Sequence, residues 1–168
     1  MKKTILIIAV LLIAGSTFSQ VQFGVGVVAG TELKFNENGD PQMNFGAHAR
    51  GLFEISDEMF LTGGLSYFLP YKLKYTGIES TLTFMVLNAD INYYFLDDGD
   101  FMLYGLGGIN YGIAMTKLDE TGEPILRNTH THVDFEFGVG ARTENLFGEL
   151  RWDNSNSNFL LTVGIYLN

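Results

Sequence analysis

His130, His132, Asp134 and Glu136 are the residues whose types and spacing come nearest to a reactive constellation. At a spacing of two, all four face one side of an extended chain. Imidazole and carboxylate suit zinc or a related divalent ion. A tight site needs three or four convergent ligands, however, and residues two apart on a strand stand about 7 Å from one another. A polar wall therefore fits the row better than a metal site. No serine adjoins a histidine: Thr129, Thr131 and Val133 flank His130 and His132, and two alanines flank His48. A Ser/His/acid set for acyl transfer would have to be assembled in space. Gly24-Val25-Gly26-Val27-Val28-Ala29-Gly30 echoes a dinucleotide loop, but that motif sits between a strand and a helix. Asp153 to Asn158 alternates oxygen ligands as a calcium loop does, without the turn glycine or the acidic twelfth residue. No catalytic, cofactor-binding or metal-binding residue is assigned, and no cofactor is expected.

The elements that carry these residues are strands. His132 to Arg142 places Val133, Phe135, Phe137, Val139 and Ala141 on one parity and His132, Asp134, Glu136, Gly138, Gly140 and Arg142 on the other. That alternation is the signature of a strand with one apolar face. It recurs through the chain and predicts eight strands at 21–33, 43–55, 59–70, 80–95, 101–116, 131–142, 146–153 and 159–168. In the fourth, Leu82, Phe84 and Val86 share one parity and Leu87, Ala89, Ile91, Tyr93 and Phe95 the other, which predicts a bulge near Val86-Leu87. Short links at 56–58, 96–100 and 143–145 alternate with longer ones at 34–42, 71–79, 117–130 and 154–158. Even strand number, strands of about ten residues and loops at one end are the pattern of an outer-membrane barrel.

The first nineteen residues read as an address. Met1-Lys2-Lys3 is cationic, Ile5 to Ala14 is unbroken apolar, and Thr17 and Ser19 are the small residues before a cut after Ser19. The apolar run is half the length that a spanning helix needs. The expectation is a signal peptide over 1–19 and one barrel domain over 20–168. The mature chain then carries eight basic against nineteen acidic residues, which argues against a nucleic-acid partner. With no cysteine, there is no disulfide framework, thiolate metal site or lipidated cysteine.

Alternation leaves two inversions open. A soluble barrel of the lipocalin kind turns its apolar face inward and holds an apolar ligand; a membrane barrel turns that face to lipid. Glycine crowds the polar face, at Gly24, Gly26, Gly46, Gly64, Gly108, Gly112, Gly138, Gly140 and Gly164. A solvent-facing position gains nothing from glycine, whereas an eight-stranded interior is barely wide enough for side chains. Aromatics lie near strand ends, with Phe53, Tyr93, Phe95 and Phe101 toward the short turns and Phe45 and Trp152 toward the loops. Those are the positions of interfacial girdles. The lumen would then hold His48, Arg50, Glu54, His132, Asp134, Glu136, Arg142, Glu149 and Arg151. With 143–145 as a turn, Arg142 is expected beside Glu149 and Glu136 beside Arg151.

With its export signal, eight alternating strands, Gly-x-Gly segments at 24–26 and 138–140 and an end at Thr162-Val163-Gly164-Ile165-Tyr166-Leu167-Asn168, the sequence resembles the small OmpA/OmpX-type outer-membrane barrels. It is most similar to the compact barrels common in Bacteroidetes-type bacteria. The resemblance implies an all-β, eight-stranded antiparallel up-and-down barrel in a Gram-negative outer membrane. It also implies a barrel that associates with lipid and lipopolysaccharide and is inserted by the barrel assembly machinery. Such barrels usually close on a final aromatic, whereas here Tyr166 precedes Asn168 by two. The chain stops with the eighth strand, so no periplasmic domain is expected after it. The function expected is a structural or surface-recognition role through the extracellular loops of a monomer, whose ligand the sequence does not name. A general diffusion porin is not expected, because eight strands leave no wide channel. The alternatives are a lipid-modifying enzyme on the same scaffold, of the lipid A deacylase or acyltransferase kind, and the secreted soluble barrel.

Overall fold

A computed structural model of the chain describes residues 21–35, 41–75, 78–120, 123–154 and 158–167. The expected signal segment, 1–19, lies outside the described residues. The strands are β1 (Val21–Phe35), β2 (Pro41–Ser56), β3 (Met59–Phe68), β4 (Tyr71–Tyr75), β5 (Ile78–Asp97), β6 (Met102–Glu120), β7 (Glu123–Arg142), β8 (Leu146–Asp153) and β9 (Asn158–Leu167). Every pairing is antiparallel; consecutive strands are joined except β3 and β4, β1 pairs with β9, and β3 pairs with β5. The sheet is thus a closed up-and-down barrel.

Nine segments fill eight positions, because β3 and β4 are one strand broken at Leu69-Pro70. Proline has no N–H to give the ladder. The register on β5 slips by one there, from Tyr67↔Met85 to Tyr71↔Leu82. This corrects the expected bulge at Val86-Leu87. The β5–β6 register runs uninterrupted from Ile78↔Glu120 to Tyr94↔Tyr104, and its shift lies between Tyr94 and Leu96. Phe84 and Val86 therefore keep the parity of Asn88, Asp90 and Asn92. They face the lumen, packed against Val28, Phe68 and Leu160. The expectation failed because it assumed that every apolar residue of a strand must face outward.

The short links form tight turns at one end. In the turn after β5, Gly99 adopts a φ of 89°, a left-handed conformation that glycine takes without a Cβ penalty. Asp97 accepts a hydrogen bond from its N–H at 2.8 Å, and Asp98 accepts one from Phe101 N at 2.7 Å. At the other end, much of the expected loop at 34–42, 71–79 and 117–130 is strand instead. The β6–β7 ladder continues to Glu120↔Glu123, and β4 and β5 pair up to Tyr75↔Ile78. Long backbone ladders satisfy N–H and C=O groups that a loop would leave to water.

The two faces settle which way the barrel is turned. Outward side chains are apolar and exposed, with Phe135 at 70%, Val27 at 67% and Val133 at 66%. Inward ones include Glu149 at 2%, Arg151 at 3% and Asp90 at 1%. A water-soluble protein rarely exposes so continuous an apolar surface and almost never buries so many charges. Here the solvent around the barrel is hydrocarbon. Inward glycines allow the narrow bore: a Cβ on Gly26 would run into the Val163 carbonyl, and one on Gly138 into that of Leu150.

Candidate functional site

The lumen is stacked in three layers. Nearest the turns are two aromatic and aliphatic clusters, Leu52, Phe147 and Tyr166 in one and Tyr94, Tyr104 and Leu106 in the other, with Phe60 packed against both. Nearest the loops is the Val28, Phe68 and Leu160 cluster. Between them lies a belt of charge, placed by inward positions of β2, β5, β7 and β8.

Glu149 is its centre. Oε1 accepts from Arg50 Nη1 and from the Tyr104 hydroxyl, both at 2.6 Å. Oε2 accepts from Arg151 Nη2 at 2.8 Å and Nε at 3.0 Å, so one oxygen takes two donors of the guanidinium in charge-assisted bonds. Arg151 Nη1 then reaches Asp90 Oδ2 at 2.7 Å and Glu136 Oε1 at 2.9 Å. Asn88 donates to Asp90 at 2.5 Å, and both Arg50 and Asn92 donate to Thr62 Oγ1, at 3.2 and 2.8 Å. The Arg50 guanidinium also lies 4.6 Å over the Phe147 ring. Such pairing is what keeps charges tolerable away from water.

The other residues singled out from the sequence take separate places. His48 is buried, with Nδ1 2.9 Å from Ser66 Oγ. That is a serine–histidine contact with no sequence signal, since the two are eighteen residues apart. It is shut inside the lumen, where the cavity that Ser66 and Arg151 line measures about 10 Å³, room for a single water at most. His132 pairs with Asp134 at 3.2 Å, His130 is exposed beside Asn128, and Glu136 is held by Arg151, so the row of four does not converge. Glu54 is exposed at the turn end.

One pairing is corrected. The β7–β8 register sets Arg142 opposite Phe147 and Glu149 opposite Gly140, so the expected Arg142–Glu149 contact does not form. Arg50, Arg151 and Tyr104 occupy Glu149, while Arg142 donates to Gln22 Oε1 at 2.8 Å and lies 4.7 Å over the Tyr166 ring. Sequence reasoning missed Asp90, Asn88, Asn92 and Tyr104. The first three occupy the polar parity of residues 87–95, a legible signal; Tyr104 gave none, because an aromatic on a strand reads as outward. Among the aromatics, Phe45, Tyr93, Phe95 and Phe101 are exposed and Phe53 half-buried, and the half-buried Trp152 packs on Phe137 at 4.5 Å.

Closed barrel, hydrocarbon-facing exterior and a bore filled by its own side chains together define a small outer-membrane β-barrel. Solved structures share that fold at low identity. The attachment invasion locus protein Ail of Yersinia pestis, in complex with the heparin analogue sucrose octasulfate, matches with a TM-score of 0.59 and 14% identity, over 88% of this chain and 97% of that one. A major outer membrane protein from Thermus thermophilus matches at 0.53 and 11%, over 88% and 98%. Neisserial surface protein A matches at 0.52 and 16%, over 89% and 99%. No family model matches the sequence, and no curated protein does.

Proposed function

We propose that the chain, exported by its signal at residues 1–19, serves as a surface-recognition barrel of the outer membrane. In this reading the barrel machinery inserts it as a monomer and the aromatics near the strand ends mark the two lipid interfaces. The charge belt acts as internal scaffolding. One observation carries the recognition role. Among the described residues, β5, β6 and β7 run on above the end of β8, and on its β8 side β7 has no ladder partner beyond Glu136. The Phe135 carbonyl accepts from Asn154 N on that side at 3.2 Å. Backbone groups alternate in direction along an antiparallel strand, so Val133, Thr131 and Thr129 aim theirs the same way. An open edge of this kind accepts an extended polypeptide by strand addition.

The Ail structure holds a heparin analogue, but segments 31–44, 69–83, 116–130 and 153–158 of this chain carry five basic against eight acidic residues. That balance favours a polypeptide over a sulfated glycan. The test is a selection of random-library peptides on the refolded barrel. Selected peptides should protect the Thr129, Thr131 and Val133 amides from exchange and lose about tenfold or more in affinity on Thr131→Pro, which removes one edge donor. Peptides indifferent to that substitution would refute the reading. The enzymatic alternative predicts altered acyl chains, by mass spectrometry, after incubation with lipopolysaccharide and phospholipid; unaltered chains are expected.

A further inference from the structure

At the turn end the lumen opens into a cavity of about 170 Å³. That is roughly the size of an engineered cavity that takes up benzene. Its apolar wall is Leu52, Phe60 and Met102, its rim carries Glu54 and Asp97, and Arg142 lies within. Arg142 is 7% exposed, and its Nε has no partner; neither has the buried Tyr166 hydroxyl beneath it. Among the described residues, no carboxylate pairs with Arg142, whose donors reach only the neutral Gln22 and Tyr94. A buried cation without an anion is costly, so the site favours a negative group.

The surroundings decide what kind. Glu54, Asp57, Glu58, Asp97, Asp98, Asp100 and Glu144 are all exposed at this end, where Arg142 is the single cation among the described residues. Such a ring repels a simple anion and draws in a positive group. We propose that the cavity binds a short zwitterion: its carboxylate reaches Arg142, its aliphatic spacer lies on Leu52, Phe60 and Met102, and its ammonium group meets Glu54 and Asp97. That is the chemistry of a lysine-like amino acid, free or at the C-terminus of a peptide. The site is at the opposite end from the β7 edge and stands or falls separately from it.

The test uses the refolded barrel in detergent micelles, with the Met102 methyl as reporter in NMR titrations. 6-Aminohexanoate should shift it saturably and bind about tenfold or more tightly than hexanoate or hexylamine, each of which lacks one charge. A lysine-ended peptide acid that also binds, where its amide does not, assigns the ligand to a polymer end; a free amino acid is assigned if only 6-aminohexanoate binds. Glu54→Gln, at an exposed position, should weaken 6-aminohexanoate and strengthen hexanoate. Arg142→Gln should weaken both. Equal binding of the three compounds, or no shift of the methyl because another anion already holds Arg142, would overturn the proposal.

Discussion

Arg50 and Glu149, ninety-nine residues apart in sequence, meet at 2.6 Å across the middle of the lumen, with no exposed side-chain surface on either. They join β2 to β8 through the bore, a link that the hydrogen-bonded ladders around the wall do not supply.

Arg151 has the harder task, since among the described residues it is the one cation paired with Asp90 and Glu136, and it also shares Glu149. Arg151→Ala should cost about 3–5 kcal/mol, the loss usual when a buried pair is broken. Arg50→Ala leaves Glu149 its second guanidinium and should cost about 1–3 kcal/mol. Urea midpoints of barrels refolded into lipid vesicles would compare them; equal midpoints would contradict the network described.

The belt holds more carboxylates than it has guanidiniums, with Asp90, Glu136 and Glu149 set against Arg50 and Arg151. Neutralising one acid at the edge of this set is therefore mild. Asp90→Asn should change stability by less than about 1 kcal/mol, whereas Glu149→Gln, between the two guanidiniums, should cost about 3 kcal/mol or more. The same urea series reads both.

Within the barrel wall, glycine is required where the bore is tight. Gly26→Ala drives a Cβ into the Val163 carbonyl and should cost about 1–3 kcal/mol or block assembly. At Gly105, where a Cβ would meet nothing, the same change should stay within about 0.5 kcal/mol. The fraction of folded, faster-migrating barrel on unboiled gels measures each.

A bore closed by apolar clusters above and below its charges conducts poorly. Planar-bilayer recordings of the refolded protein should lack the large stable steps of a sixteen-stranded porin. Paired truncation of Phe68 and Phe84 to alanine should raise brief openings before it unfolds the barrel, because the outer cluster thins while the charge belt stays intact.

The strand pattern was legible because period two survives in every wall segment: one-sided burial imposes it residue by residue. Arg50, Glu136, Glu149 and Arg151 were legible as inward charges for the same reason. Their partners were not. Arg142 is separated from Glu149 by two residues of register along the β7–β8 hairpin, which turn residues alone fix only loosely. The parity of Phe84 misled because an apolar side chain can be taken from water by the upper lumen, against Val28, Phe68 and Leu160, as well as by the bilayer. Strand lengths beyond the membrane were illegible too: above the lipid neither face of a hairpin must be greasy, so 117–130 reads like loop although its backbone is ladder.

Among the described residues, β5, β6 and β7 stand above the ends of β8 and β9, so the outer rim carries a parapet on that flank. A neighbour gliding in the plane of the membrane would meet that wall from one bearing and the shorter β8 and β9 from another. The molecule thus has a heading, and encounters on the cell surface would be sorted by direction of approach before any chemistry is compared.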